Sequence, residues 1–230
     1  MEVVILAGGR GTRAYPLTAD VPKPMLWLKG MPLMERVMRV YARQGYTDFI
    51  ICVGHRKEVI QDYFYHRGLP WRIRYSDAGD DAGTGGRILA TRDMITGPFF
   101  ATYGDGLGNV DLSKLLRFHR EHDGVASLTA VPMRSQYGTV DIGRDDQILG
   151  FEEKPLLPDM FINAGYFVFE PELFTYEGDS LEADVLTKVA ANGGLYAYKH
   201  DGFWKSVDTF KDLGELEDIV AKSEATWTGS

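Results

Sequence analysis

Val3-Val4-Ile5-Leu6-Ala7-Gly8-Gly9-Arg10-Gly11-Thr12-Arg13 opens the chain, and Lys23 stands ten residues beyond Arg13, in Val21-Pro22-Lys23-Pro24-Met25. The apolar run Val3–Leu6 reads as a strand, and the glycines behind it read as a loop leaving that strand's carboxyl end. Without Cβ atoms in the way, loop N–H groups can close on phosphate oxygens. Arg13 and Lys23 add positive charge, so the segment reads as a grip for a polyphosphate, most simply a nucleoside triphosphate. Generic phosphate motifs do not fit. No Gly-Lys-Ser/Thr follows the glycines, as a lysine P-loop requires. Ala14 is tolerated where the dinucleotide fingerprint has its third glycine, but Pro16 argues against an immediate helix. Taken alone, Gly8-Gly9-Arg10-Gly11 reads equally well as a plain turn.

Strand and helix signals alternate outward from this segment. Residues 33–44 read as a helix, with Leu33, Val37, Val40 and Tyr41 at helical spacing. Residues 48–53 read as a buried strand, Lys57 to His66 as a helix, Ile73 to Ser76 as a strand and Gly86 to Met94 as a helix. Phe99 to Tyr103 reads as a buried strand, Leu112 to Glu121 as a helix capped by Asp111, and Val125 to Val131 as a strand. This pattern argues an α/β fold, a Rossmann-like and mostly parallel sheet with helices on both faces. Ligands of such sheets bind beyond the carboxyl ends of the strands. The glycine loop and Gly104-Asp105-Gly106 therefore open on one rim. Past about residue 135 come strands at Tyr137 to Ile142, Ile148 to Glu152 and Ile162 to Phe169, then helices at Leu181 to Ala191 and Phe210 to Ala221. They read as a smaller lobe or an antiparallel extension over that rim, with Ser223–Ser230 as a polar tail.

The chain has 230 residues, a net charge of −8 and one cysteine. That length suits one sizeable domain. The acidic balance disfavours a nucleic-acid or anionic-membrane surface, but not a phosphate substrate, since screening keeps charge effects local. Cys52 lies in an apolar strand and reads as structural. The first apolar run is too short for a signal peptide and no stretch approaches membrane-spanning length, so the expectation is a cytoplasmic protein.

Asp105 and Asp208 each follow an apolar stretch, where a carboxylate suits a divalent ion; magnesium takes one or two protein carboxylates. The plain alternatives are a turn residue for Asp105 and a helix cap for Asp208. Lys154, in Glu152-Glu153-Lys154-Pro155, is placed to meet a second phosphate, and Asn163-Ala164-Gly165 suits hydroxyl recognition. The Asp77–Arg87 loop could wrap a base, with Arg87 reaching a phosphate. His119 and His122 read as a solvated pair rather than a metal site.

Together these segments resemble the sugar-1-phosphate nucleotidyltransferases over roughly residues 2–220, the Leu6–Arg13 signature with Pro22-Lys23-Pro24 being the specific part. Thr102–Gly106, Thr84–Arg87 and Gly202–Thr209 are most similar to the glucose-1-phosphate cytidylyltransferases. An insertion of some twenty residues usual there is missing between His66 and Asp77, and Ser180–Leu186 resembles the heptose-1-phosphate guanylyltransferases. The resemblance implies nucleotide contacts from Leu6, Ala7, Gly8, Gly9, Arg10, Gly11, Thr12, Arg13, Lys23, Thr84, Arg87 and Gly104. It implies sugar-phosphate contacts from Gly138, Glu153, Lys154 and Asn163, and Mg²⁺ on Asp105 and Asp208. Arg13, Lys23 and Asp105 would be catalytic. The division implied is a nucleotide-binding part over about 1–135 and a sugar-phosphate-binding part over about 136–222 of a single domain, with residues 223–230 as the tail; a homo-oligomer is compatible. The implied reaction joins a sugar 1-phosphate to the nucleotidyl group of a triphosphate, CTP favoured. Rivals are a GTP- or UTP-dependent enzyme, a nucleotide-sugar sensor and, ranked last, a nicotinamide-dependent oxidoreductase, since the nearby acid Glu35 lies on the helix after Pro32 and not at a strand end.

Overall fold

The computed structural model describes residues 1–9, 11, 18 and 20–227, with the backbone alone for Pro158 and residues 223–227. Arg10, Thr12 and Arg13 lie outside the described residues. In chain order the strands are β1 (Val3–Leu6), β2 (Trp27–Leu28), β3 (Met31–Pro32), β4 (Asp48–Val53), β5 (Arg72–Asp77), β6 (Phe99–Tyr103) and β7 (Gly106–Gly108). They continue as β8 (Ala126–Arg134), β9 (Thr139–Ile142), β10 (Ile148–Glu152), β11 (Leu156–Phe169), β12 (Leu195–Lys199) and β13 (Trp204–Ser206). The helices are α1 (Leu33–Arg43), α2 (Lys57–Arg67), α3 (Thr84–Leu89), α4 (Leu112–Arg120), α5 (Thr187–Ala191) and α6 (Phe210–Trp227).

A seven-stranded sheet runs in the order β12-β8-β11-β6-β1-β4-β5. Its first-half strands are parallel to one another, and β12 is parallel to β8. The second half does not stand apart from this sheet. β11 inserts antiparallel between β6 and β8, so the antiparallel extension, rather than a detached lobe, describes how its strands join. Among the described residues beyond 135, β9 and β10 pair as one separate ribbon, and β13 pairs with β7 in another.

Near-continuous apolar strands are what a sheet covered on both faces demands. Val3, Ile5, Phe49 and Ile51 point to a core shared with α1, α2, α4 and α6. Val4, Leu6, Ile50 and Cys52 point to the opposite core, with Ile88 of α3 and the turn at Leu181–Val189. Burial pushes the Cys52 thiol up to about 12, so it stays protonated and inert. Glu35, fully buried on α1, accepts from Arg39 at 2.6 Å, from Arg67 at 3.1 Å and from Tyr63. Its carboxylate is spent tying α1 to α2.

The histidines depart from expectation. His119 is buried, not solvated, because the last turn of α4 packs against β8. One direction of donation satisfies the whole cluster. Gly124 N–H donates to His122 Nδ1 (3.0 Å), His122 Nε2–H to Ser127 Oγ (2.8 Å), Ser127 O–H to His119 Nδ1 (2.9 Å) and His119 Nε2–H to Glu170 (3.2 Å). Both rings are neutral in this arrangement. Burial lowers both values, outweighing Glu170 at His119 and Asp123 at His122. The unfolded chain therefore takes up protons first as pH falls. Stability is full above the ordinary histidine value of about 6.5 and is lost on descent through the lowered folded values. We expect the melting temperature to fall between about pH 7 and pH 5, and His119→Gln to flatten that slope; an unchanged slope in the variant would remove the cluster from the effect.

Candidate active site

The rim of the sheet is built by strand register. Leu6 pairs with Tyr103, so the loop after β1 and the turn after β6 leave side by side, joined by Gly104 N–H to Leu6 O at 3.1 Å. Two prolines flank Lys23 and hold it at the start of a single 3-10 turn, where its stem is buried. Thr18 Oγ donates to Gly11 O at 3.0 Å, and Gly11, at φ +62°, leaves 2.9 Å between its missing Cβ and that of Lys23. The glycine loop and the lysine are thus packed together at Gly11.

Asp208 arrives from the other end of the chain. β13 pairs antiparallel with β7, and Val207 N–H donates to Asp105 O at 3.1 Å. This brings two carboxylates onto one ammonium. Lys23 Nζ lies 2.7 Å from Asp105 Oδ2 and 2.9 Å from Asp208 Oδ1. Burial pulls the lysine value down, but the two aspartates more than offset it and hold it above the ordinary lysine value. Asp208 is not the cap of α6. Thr209 and Asp212 cap that helix reciprocally, Asp212 accepting from Thr209 N–H at 2.8 Å and giving its own N–H to Thr209 Oγ at 3.2 Å. The Asp208 side chain is left to face Lys23.

Around this triad opens a cleft of about 670 Å³, within the range of small-ligand sites. Leu6, Ala7, Gly8, Gly9, Gly11, Lys23, Thr84, Arg87, Asp105, Asn163 and Asp208 all line it. Arg87 is buried and donates to Val53 O at 2.6 Å and Asp80 O at 3.3 Å. Its guanidinium fills the space beside Gly8, where a Cβ would lie 2.2 Å from it. In this state it braces the loop backbone from beneath. Gly104 is backbone support, packed on Pro24. Gly138, Glu153 and Lys154 gather at the base of the β9–β10 ribbon and are not among the residues lining the cleft.

The sequence reading passes over Tyr103, Glu182, Trp204 and Ser206 as site residues, yet they complete the wall. Tyr103 carried a usable signal, its place at a strand end two residues before Asp105. Glu182 carried none of that kind, because its place depends on how the turn at Leu181–Leu186 packs on α3.

A family model described as nucleotidyl transferase matches residues 2–226. The chain belongs to the nucleotidyl transferase family. Among nucleotidyl transferases it is 35% identical to the glucose-1-phosphate cytidylyltransferase of Salmonella typhimurium over 254 aligned positions, 99% of this chain and 98% of that one. It is 32% identical to the D-glycero-alpha-D-manno-heptose 1-phosphate guanylyltransferase of Campylobacter jejuni, over 76% of this chain and 78% of the relative. The crystal structure of HddC from Yersinia pseudotuberculosis superposes with a TM-score of 0.76 at 25% identity, covering 95% of this chain and 98% of that one. Among the described residues, no helix is long and apolar enough to cross a membrane.

Proposed function

We propose that this protein transfers the nucleotidyl group of a nucleoside triphosphate, CTP by preference, to a sugar 1-phosphate, glucose 1-phosphate by preference. A phosphate oxygen of the sugar attacks the α-phosphorus, the α–β phosphoanhydride bond breaks, pyrophosphate leaves and a nucleoside-diphosphate sugar forms. The observation that carries this reading is the convergence of Lys23, Asp105 and Asp208 on one point beside the glycine loop.

The chemistry asks for little besides charge control. The sugar phosphate is already ionised near neutral pH, so no general base is needed. Two polyanions must meet, and alignment with neutralisation is the task. Lys23 can exchange its carboxylate partners for oxygens of the α-phosphate. Arg13 holds the leaving β- and γ-phosphates in this reading, while the glycine loop offers N–H groups. Residues 1–135 then serve the nucleotide and about 136–222 the sugar phosphate, with Lys154 on its phosphate and Glu153 and Asn163 on its hydroxyls.

Asp105 and Asp208 fit a divalent cation, since together they already enclose a positive charge at hydrogen-bond distance. Magnesium is the ion we assign, and it would supply charge neutralisation between the phosphates when bound. Both substrates are multiply charged and do not cross membranes unaided, which supports a cytoplasmic location.

CTP and glucose 1-phosphate are favoured because the relatives of full-length overlap carry that activity in their names. The heptose guanylyltransferase relative supports GTP with a heptose phosphate as the second reading. A panel of CTP, GTP and UTP against hexose and heptose 1-phosphates, read by pyrophosphate release, separates them. Fastest turnover is expected for CTP with glucose 1-phosphate. Metal-dependent release with no pair, despite tight nucleotide-sugar binding, would make the protein a sensor.

A further inference from the structure

Resting on that reading, we infer that Glu182 is a specificity-determining residue, accepting hydrogen bonds from ring hydroxyls of the sugar. Among the described residues, three carboxylates line the cleft. Asp105 and Asp208 share Lys23, whereas Glu182 has no basic partner among the described residues. Its donors are neutral hydroxyls: Thr84 at 2.8 Å and Ser180 at 3.2 Å on one oxygen, and Tyr103 on the other.

Each of those hydroxyls is oriented from behind. Thr84 Oγ accepts Leu181 N–H at 2.9 Å, and Ser180 Oγ accepts Ala183 N–H at 3.0 Å. Each must therefore turn its own proton to Glu182. Asn163 Oδ1 accepts Gly165 N–H at 2.8 Å, which aims its Nδ2 at the Tyr103 hydroxyl, 3.5 Å away. Gly165, at φ +76°, lets the backbone press on the Tyr103 ring, where a Cβ would come within 2.3 Å. The carboxylate is thereby fixed in place before any ligand arrives.

An anionic wall in a cleft that admits two polyanions opposes binding unless it meets a neutral, donor-rich part of a substrate. Phosphates are excluded as its partner; sugar hydroxyls and a base amino group remain. The link through Tyr103, two residues before Asp105 in sequence, to Asn163 puts Glu182 on the sugar side. A carboxylate accepting from hydroxyls forms charge-assisted bonds, each corresponding to about a 10- to 100-fold change in affinity.

The test is a set of monodeoxy glucose 1-phosphates assayed with wild type, Glu182→Gln and Tyr103→Phe. Wild type is expected to lose about 10- to 100-fold in kcat/KM for at least one analogue. Glu182→Gln should show that loss already with the full sugar and little further penalty with the same analogue, its KM for the triphosphate staying within about 2-fold. Tyr103→Phe should show a smaller loss of the same pattern, which keeps the test decisive if Glu182→Gln folds poorly. An undiminished analogue penalty in both variants, or a rise in KM confined to the triphosphate, overturns the assignment; the latter places Glu182 on the base. Turnover of glucose 1-phosphate by wild type is the control. Its absence defeats the glucose 1-phosphate reading, and the assignment with it, whereas its presence with the wrong variant pattern defeats this assignment alone.

Discussion

Lys23→Ala is expected to lower turnover on the order of 10²–10³-fold, the cost of losing one preorganised electrostatic contact at a reacting phosphate. In the proposed reaction this side chain would balance charge at the α-phosphate; its stem is buried and its ammonium lies between two carboxylates. Truncation removes both contacts at once. Asp105 and Asp208 then face each other without the lysine, which disfavours the empty enzyme but leaves a stronger attraction for a divalent cation. The loss should therefore appear in kcat, with no rise in the metal requirement. A thermal melt close to wild type, with activity near wild type, would remove Lys23 from the mechanism.

Asp105→Asn should cost turnover on the same order, 10²–10³-fold, with a different signature. Asparagine keeps the shape but withdraws one of the two carboxylates assigned to the cation. Activity should then require more divalent ion to saturate, and the triphosphate should bind less tightly in its presence. The backbone link from Val207 N–H to Asp105 O survives the change, so the β7–β13 ribbon should persist. Near-wild-type turnover at ordinary magnesium, in a folded variant, would exclude Asp105 from the reaction.

The parallel half of the fold was legible because its central strands β1, β4 and β6 are apolar on both faces and α1 carries one apolar stripe. Val3–Leu6, Asp48–Val53 and Phe99–Tyr103 fall within a residue of where the sequence puts them. The β7–β13 ribbon was not legible. Gly106 and Gly108 give β7 almost no strand signal, and its partner lies nearly a hundred residues away. Yet this ribbon decides that Asp208 meets Asp105. β11 runs from Leu156, well before the expected Ile162, through irregularities between Leu157 and Phe161 and between Asn163 and Phe167 that interrupt the alternation a sequence reader counts. The helix expected over Leu181–Ala191 is a π-helical turn at Leu181–Leu186 followed by α5, a difference in backbone pitch that periodicity over so short a stretch does not resolve. His119 misled because Arg120, Glu121 and His122 after it are polar in sequence, while its partners, Ser127 and Glu170, come from β8 and the residue just after β11.

The most direct measurement is a crystal structure with a non-hydrolysable CTP analogue and Mn²⁺, read by anomalous scattering. A peak shared by Asp105 and Asp208, directly or through its water shell, with Lys23 moved onto a phosphate oxygen, is the expected result. Carboxylates too far apart to share the ion, or Lys23 still clasped between them while the metal and triphosphate bind elsewhere, would contradict it.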